Sequence, residues 1–125
     1  NKKILLLGVS YLNDVGDTRY SPVELFYNCL IHEKAIVYLH DPFISYWEEK
    51  EMVVENDLEK LMSEKYDVIV ISTGHSKYRN NSSLINHFIQ MNNVTIFDTI
   101  GIFNKNEISQ INNKQKIIIL GRGNI

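Results

Sequence analysis

Residues 4–24 read ILLLGVSYLNDVGDTRYSPVE, and this stretch decides the fold. The apolar run over residues 4–9 predicts a β-strand that is covered on both faces. At the other end, Ser21 is a candidate N-cap, Pro22 suits the first helical position and Glu24 the third. A helix is therefore predicted to begin there, which makes the stretch a strand-to-helix junction.

The loop between this strand and this helix is long and polar, and it carries a single arginine, Arg19. A buried strand, such a loop and a capped helix together have the layout of a phosphate-handling junction. The loop nevertheless lacks the G-x-G-x-x-G fingerprint of an ordinary dinucleotide site, because the glycine that follows Gly8 is Gly16. We therefore expect this loop to hold its ligand in a different way.

Beyond the junction, strand-like and helix-like segments alternate. Strands are predicted over residues 4–9, 35–39, 67–72 and 94–97, with a further element over 116–120. Besides the helix that begins at Ser21, helices are predicted over 57–64 and from the candidate caps Ser82 and Ser83 to about residue 91, whereas 43–55 is predicted to be irregular or partly helical. The alternation indicates an α/β fold: a three-layer, Rossmann-like, doubly wound sheet that is mainly parallel and has five or six strands. In such sheets, ligands bind beyond the carboxyl ends of the strands.

The composition indicates one ordinary soluble domain. A chain of 125 residues is long enough for a single core, and no apolar run approaches the roughly 18 residues that span a membrane. The formal net charge of −2 does not favour a nucleic-acid partner. The single cysteine, Cys29, excludes an internal disulfide and a multi-cysteine metal site. With no signal peptide visible, we expect a cytoplasmic protein without a membrane partner, and the missing initiator Met indicates an excised domain.

Arg19 is the first candidate for ligand binding. It lies two residues before the predicted N-cap Ser21, where free backbone amides and the helix dipole favour an anion. The arginine fork suits bidentate phosphate recognition. A pairing with Asp17 that stiffens the loop is the alternative, and the two roles are compatible if Asp17 orients Arg19.

Cys29 and His75 are candidates for chemistry that the pattern does not favour. Cys29 shares a predicted apolar helix face with Phe26 and Leu30, so we expect a packed, inert thiol rather than a nucleophile. His75 follows the third strand, where a histidine can act as acid or base. Because no nucleophile is near it in sequence, a structural or peripheral role is favoured.

Other polar residues at the predicted strand ends receive similar interpretations. Asp41 ends the second strand, where a Rossmann domain places its ribose-binding acid, but the missing glycine fingerprint favours a turn with Pro42. Lys77, Arg79 and Arg122 are candidates for a basic rim, although scattered charges of this kind are usually solvated surface. The remaining histidines, at positions 32, 40 and 87, share no spacing typical of metal ligands. No metal site is therefore predicted.

Residues 8–22, GVSYLNDVGDTRYSP, resemble the loop that opens the C-terminal domain of the UDP-glucose/GDP-mannose dehydrogenase family, approximately G-x-x-[YF]-K-x-x-x-x-D-x-R-x-S-P. Four further stretches agree in order and spacing. Residues 37–43 resemble V-x-x-x-D-P-[YF], residues 67–78 resemble a D-[VI]-[IV] strand followed by H-x-x-[FY], residues 96–103 resemble V-V-D-x-x-G-[VI]-[FW], and residues 121–123 resemble the glycine-rich end. The resemblance covers essentially the whole chain, and its first motif is the most specific.

The resemblance implies the UDP-binding domain of an NAD-dependent UDP-sugar 6-dehydrogenase, which oxidises a sugar hydroxyl to a carboxylate. Residues 1–125 would form this single domain, which encloses a UDP-sugar and closes on NAD. NAD itself would be held mainly by an N-terminal domain, and dimerisation would come from a central helical segment. Neither is present here, nor is the family's catalytic cysteine, so the resemblance assigns no catalytic residue to this chain. The fragment is then expected to be monomeric and the parent protein a dimer or larger.

Residue by residue, the resemblance gives Arg19 a contact to NAD and places Tyr11 and Leu12 at the nucleotide sugar, with Asp17, Ser21 and His75 in support. Leu12 departs from the pattern, because the family usually has a lysine there. The change removes a charge-assisted contact of roughly 1.5–3 kcal/mol.

The departure at Leu12 leaves two functions open. In the first, the chain still binds the nucleotide sugar, through other groups such as Lys77 or Arg79. In the second, it is a diverged, non-catalytic Rossmann-like binding or regulatory module that has lost its ligand. An independent NAD-binding enzyme domain is disfavoured, because Gly8 has no companion glycines.

Overall fold

A mainly parallel β-sheet forms the centre of the fold. The computed structural model describes residues 1–120 and the backbone of residues 123–124. In chain order the strands are β1 (Lys3–Leu7), β2 (Ile36–His40), β3 (Tyr46–Trp47), β4 (Met52–Val53), β5 (Val68–Ile71), β6 (Thr95–Asp98), β7 (Lys116–Ile119) and β8 (Gly123–Asn124). The sheet order is β2-β1-β5-β6-β7-β8, with parallel pairing throughout except between β7 and β8. The predicted doubly wound sheet is confirmed.

The order of the strands reverses at β1, which pairs with β2 on one side and with β5 on the other. At the carboxyl end of β1, Leu7 lies opposite His40 of β2 and Ile71 of β5. The loops that leave β1, β2 and β5 therefore start side by side. Such a switch point is where open α/β sheets bind their ligands.

Helices cover both faces of the sheet. They are α1 (Val23–His32), α2 (Leu58–Met62), α3 (Ser82–Gln90) and α4 (Lys105–Asn112). Because side chains alternate along a strand, Ile4 and Leu6 of β1 pack on the side of α1, whereas Leu5 and Leu7 pack on the side of the other three helices. The three layers are thus the predicted ones.

The start of α1 differs by one residue from the predicted start. Pro22 adopts helical backbone angles but precedes the first residue of the helix, Val23. The Ser21 hydroxyl accepts a long hydrogen bond, 3.3 Å, from the Val23 amide. The predicted turn into the helix is therefore present without a regular side-chain cap.

The predicted burial of Cys29 is wrong, because its side chain is exposed. The face of α1 that packs on the sheet consists of Val23, Phe26, Tyr27 and Leu30. These positions follow the i, i+3, i+4, i+7 spacing of a helix face, and Cys29 at i+6 falls beside it. Mid-helix position alone did not predict burial.

Two other helix predictions need correction. The cap of α3 is Asn81, whose Oδ1 accepts from the Leu84 amide at 3.0 Å, rather than a serine. Helix α4 was not predicted, although Asn104 and Glu107 form a capping box at its start. Its polar composition hid the two buried residues, Ile108 and Ile111, that attach it to the sheet.

Residues 43–55, predicted to be irregular or partly helical, contain the β3–β4 hairpin closed by a 3-10 turn over Glu48–Lys50. Trp47 is fully buried there and packs edge-to-face against Tyr27 of α1, with ring centroids 5.3 Å apart. The hairpin is thereby attached to α1.

Within the described part of the chain, no helix has the length and apolar character needed to cross a bilayer. The same residues contain no cluster of three or more His, Cys, Asp or Glu side chains that could hold a metal ion.

Candidate functional site

The turn that follows β1 uses its backbone amides within the protein. Gly8 N–H donates to the carbonyl of His40 at 2.7 Å. The next two amides, of Val9 and Ser10, donate to Asp41 Oδ2 at 2.9 and 3.1 Å. In a dinucleotide-binding domain, amides at this turn face the pyrophosphate. Here a carboxylate of the chain itself takes that place.

Gly8 is also closely surrounded. Its φ is +104°, and a Cβ added to it would lie 2.4 Å from Thr73 Cβ and 2.8 Å from the Thr73 nitrogen. The space that a glycine fingerprint opens to a ligand is therefore occupied by the loop after β5. The turn after β1 therefore differs from the open glycine-rich turn of an ordinary dinucleotide-binding domain.

Asp41 and His75 form a buried pair at the centre of this edge, which we call the Asp41–His75 clasp. Besides the two amides, Asp41 Oδ2 accepts from Ser10 Oγ at 2.8 Å and from His75 Nε2 at 2.9 Å. Its Oδ1 accepts from the Phe43 amide at 2.8 Å. The predicted turn role of Asp41 is thus confirmed, but the same carboxylate also joins the loops that follow β1, β2 and β5.

The protonation of the clasp follows from its hydrogen bonds. His75 Nδ1 accepts from the Asp14 amide at 2.8 Å, so the proton of a neutral ring lies on Nε2 and is donated to Asp41. Burial alone would raise the pKa of Asp41, but the hydrogen bonds from His75 and from the amides of Phe43 and Val9 outweigh it and lower the pKa. The clasp is therefore a carboxylate with a neutral imidazole, and both groups are fully used.

A second buried histidine lies beneath the clasp. His40 Nε2 donates to the carbonyl of Asn56 at 3.0 Å, and Nδ1 accepts from the Tyr78 hydroxyl at 2.7 Å. Burial lowers the pKa of His40 and raises that of Tyr78 well above its usual range. Both groups therefore stay neutral and hold the loop after β5 against the end of β2.

The loops after β1 and β5 are joined again nearer the surface. Asn13 Oδ1 accepts from the Gly74 amide at 3.0 Å, and the Asp14 carboxylate accepts from the amide and the hydroxyl of Ser76 at 2.8 and 2.5 Å. Asp14 has a left-handed backbone, with φ of 59°. The hydrogen bonds from Ser76 compensate for that strained conformation.

Arg19 and Asp17 form the predicted pair. Arg19 Nε donates to Asp17 Oδ1 at 3.0 Å and Nη2 donates to Oδ2 at 2.8 Å. The hydrogen bonds from Arg19 lower the pKa of Asp17 to about 2. The loop-stiffening role is therefore present, and the contact of Arg19 with a ligand stays a prediction.

The outer part of the β1–α1 loop presents apolar side chains to solvent. Tyr11 and Leu12, the predicted substrate residues, are 52% and 55% exposed, and Tyr20 beside Arg19 is 93% exposed. Tyr20 also has a left-handed backbone with φ of 59°, which is uncommon for a bulky residue. We call residues 11–20 the loop tip. Exposed rings on a strained backbone are typical of a surface that meets a ligand or another domain.

The loop after β6 is organised by its own carboxylate. Asp98 is fully buried, and its two oxygens accept from the amides of Ile100, Gly101 and Ile102 at 2.8–3.0 Å. The loops after β1, β2, β5 and β6 thus bond their backbone amides to acids of the chain itself where a ligand could otherwise bind. The space left for a ligand lies outside them, around the loop tip.

The loop after β5 carries two cations of the predicted basic rim, Lys77 and Arg79, and both are exposed. The third, Arg122, lies outside the described residues. Arg79 Nε donates to the carbonyl of Gly74 at 3.2 Å. The structure therefore brings Arg79, but not the buried His75, to the surface next to the loop tip.

A family model described as the UDP-binding domain of the UDP-glucose/GDP-mannose dehydrogenase family matches residues 5–105 of this chain. The chain belongs to that family. It corresponds to the UDP-sugar-binding domain of a nucleotide-sugar dehydrogenase, as the sequence resemblance predicted.

Relatives of known name agree with the family. The chain is 30% identical over 126 residues to a UDP-N-acetyl-D-mannosamine dehydrogenase of Methanocaldococcus jannaschii, covering 97% of this chain and 27% of the relative. A protein of the same name from Methanococcus aeolicus is 26% identical over 80 residues, covering 64% of this chain and 17% of that relative. The matches thus span 27% of the first relative and 17% of the second.

Solved structures agree with the fold. The UDP-N-acetyl-mannosamine dehydrogenase Cap5O from S. aureus superposes with a TM-score of 0.67 at 28% identity, over 84% of this chain and 23% of that one. A UDP-D-ManNAc dehydrogenase from Pyrococcus horikoshii gives 0.61 at 28% identity, over 83% and 23%. Each match covers about a quarter of the longer protein.

Sequence reasoning singled out the β1–α1 loop, whose binding role stays a prediction, but it missed the clasp. Asp41 was interpreted only as a turn, and its bonds to Val9, Ser10 and His75 were not predicted. The order of the strands was the missing information, because β2 and β5 flank β1 only in the folded sheet. A polar residue directly after each of three buried strands was the available signal.

Proposed function

We propose that this chain is the nucleotide-sugar-binding domain of an NAD-dependent UDP-sugar 6-dehydrogenase, and that it encloses the substrate rather than reacting with it. The observation that carries the proposal is the loop tip, an exposed and strained segment that the buried clasp fixes at the switch point of the sheet. Family membership supplies the substrate class. Enclosure of the substrate by a moving domain excludes water and completes the site.

NAD does not fit a cradle in this chain, because the amides after β1 are bonded to His40 and Asp41 and Thr73 fills the space beside Gly8. NAD, which would supply the oxidant, is therefore proposed to bind another domain. Arg19 would reach it from the loop tip when the two domains close, with Asp17 holding the guanidinium in place. Tyr11 and Leu12 would line the side of the tip that meets the nucleotide sugar. The parent protein would act in the cytoplasm, as a dimer or a larger oligomer.

An NMR titration of the chain with UDP, and separately with NAD, tests this function. UDP at millimolar concentration should shift amide signals of the loop tip and of residues 74–79, while signals from the amino end of the sheet stay fixed. NAD alone should cause little change, because its main contacts lie elsewhere. The absence of shifts in both loops with UDP would contradict the proposal.

A second function, a non-catalytic binding module that has lost the substrate, is favoured by one observation. Leu12 is exposed, and residues 9–18 contain no cation to meet a phosphate. Leu12→Lys should strengthen UDP binding several-fold if the site is only weakened. Leu25→Lys, on the exposed side of α1, adds the same charge away from the site and is the matched control.

The two variants separate the functions. A gain confined to Leu12→Lys supports the substrate-binding domain. Equal affinities in both variants and in the wild-type chain support the module that has lost its pocket.

A further inference from the structure

We propose that Arg79 supplies the positive charge that residues 9–18 lack and donates to the diphosphate of the bound nucleotide. This inference rests on the proposed function, since it names the group that would bind the phosphates of the same ligand. Nucleoside diphosphates carry at least two negative charges at neutral pH, and arginine is well suited to phosphate oxygens.

Arg79 has the right position. Its side chain lies over Gly74, with Nη2 only 2.9 Å from where a Gly74 Cβ would be. The Asn13 side chain contacts the same glycine through the bond from the Gly74 amide. Asn13 is the sequence neighbour of Leu12, so the guanidinium lies beside residues 9–18, the stretch that carries no cation.

Arg79 also has unused donors. Of the two arginines in the described part of the chain, Arg19 is bound to Asp17, whereas Arg79 forms no ion pair there. One bond, from Nε to the Gly74 carbonyl, orients its guanidinium and leaves the terminal amino groups for another partner. A group already held by one bond loses less conformational freedom when it binds.

The carboxylate whose charge interacts with Arg79 is bonded to other groups and does not occupy the guanidinium. The Asp14 carboxylate, in the β1–α1 loop, accepts from the amide and the hydroxyl of Ser76. Hydrogen bonds from Ser76 are the main cause of the lowered pKa of Asp14, and the charge of Arg79 adds to the effect. Lys77 is exposed on the same turn, but within residues 1–120 its side chain has no partner that orients it. The structure therefore distinguishes an oriented arginine from an unoriented lysine.

The test compares the affinities of wild type, Arg79→Gln, Arg79→Lys and Lys77→Gln for UDP and for uridine, by NMR or calorimetric titration of the whole chain. Arg79→Gln should weaken UDP binding by roughly tenfold or more and leave uridine binding unchanged, since uridine lacks the phosphates. Arg79→Lys should give an intermediate loss. Lys77→Gln removes the same formal charge and should change the affinity for UDP less than twofold.

The variant Gly74→Ala keeps the charge of Arg79 but displaces the guanidinium. Gly74 has no left-handed backbone, and a Cβ there would meet side-chain atoms of Arg79, Ile100 and Asn13. The flexible guanidinium can yield, so the fold should persist while UDP binding falls. Thermal unfolding of each variant checks the fold.

The outcomes distinguish a failure of the proposed function from a failure of the role of Arg79. A wild-type chain that binds no UDP overturns the proposed function together with this inference. Wild-type affinity for UDP in Arg79→Gln, or equal losses in Arg79→Gln and Lys77→Gln, overturns the role of Arg79 alone.

Discussion

The Asp41–His75 clasp and the Asp17–Arg19 pair lie in loops of the same sheet edge and have opposite surroundings. The side chains of the clasp are 0% exposed, whereas those of Arg19 and Asp17 are 75% and 36% exposed. Both carboxylates accept from a nitrogen-bearing side chain and from backbone amides. Burial distinguishes them, and it decides which pair shapes the loops and which remains available to a ligand.

The two pairs therefore have different roles: the clasp holds the loops together, and the exposed pair is available to a ligand. The clasp engages both oxygens of Asp41 and both ring nitrogens of His75, and its burial keeps these side chains away from a substrate. The exposed pair is screened by water and adds little to stability, because such pairs are typically worth almost nothing. It can be broken and formed again when a ligand binds.

Replacement of Asp41 by Asn should have the largest effect on this comparison. It replaces two carboxylate oxygens by one amide oxygen, so at least one of the amides bonded to Asp41 meets an NH2 group. The remaining bonds lose the assistance of the charge, and since bonds to a charged group are worth roughly 1.5–3 kcal/mol each, we expect the free energy of unfolding to fall by roughly 3–5 kcal/mol. Urea unfolding measures the loss. Asp17→Asn is the exposed counterpart and should leave the urea midpoint unchanged; equal losses in the two variants would remove the distinction between the pairs.

Gly8→Ala should come next. The alanine would have to adopt a φ of +104° with its Cβ 2.4 Å from Thr73 Cβ, which we expect to cost roughly 2–4 kcal/mol. Urea unfolding is again the measurement, with Gly74→Ala as the control because its new Cβ meets only side chains that can shift. A Gly8→Ala chain as stable as Gly74→Ala would show that the turn after β1 is adaptable.

A pH effect follows from the buried histidine under the clasp. Burial lowers the pKa of His40 below its ordinary value of 6.5, so between these two values the unfolded chain takes up a proton that the folded chain does not. The free energy of unfolding should therefore fall as the pH drops below 6.5. The carboxylate of Asp41 contributes only at lower pH, because its pKa lies below 3.8 in the folded chain and its stabilisation is lost as the pH falls through that region.

Urea midpoints between pH 7.5 and 5 measure this slope, and an NMR titration of the His40 ring assigns it. His40→Gln, if folded, should show a shallower slope over this range. A ring that titrates at or above pH 6.5 would contradict the burial argument directly in the wild-type chain.

Arg19→Ala should have the smallest effect on stability. Because the pair with Asp17 is exposed, we expect the urea midpoint to stay at its wild-type value. If the chain is joined to an NAD-binding domain as proposed, the same substitution in the whole protein should raise the KM for NAD roughly tenfold with little change in the affinity for UDP. A loss of stability in Arg19→Ala would instead make the exposed pair part of the loop framework.

Most of the fold followed from local patterns. The apolar runs over residues 4–9 and 67–72 predicted buried parallel strands, and each lay within two residues of the observed strand. Helix α4 was missed because only Ile108 and Ile111 pack inward. Cys29 was misplaced because a helix face is set by angle, and position i+6 lies outside the one that packs.

In the candidate site too, contacts between neighbours in the chain could be predicted and contacts between distant residues could not. Arg19 and Asp17 are two residues apart, so their pairing could be predicted from the sequence. Asp41 and His75 are 34 residues apart, and Arg79 reaches the loop tip only through Gly74. Their contacts required the sheet order, which no short pattern contains.

By itself, the sequence determined the class of the fold, the family and the loop over residues 8–22, because periodicity, capping residues and short motifs depend on neighbours in the chain. Tertiary structure alone decided which acids are buried and which remain exposed. The strands β2 and β5 flank β1, and that placement turns Asp41 inward to bind the amides after Gly8. The same placement leaves Arg19 and Arg79 outside, in water, where a charged ligand can reach them.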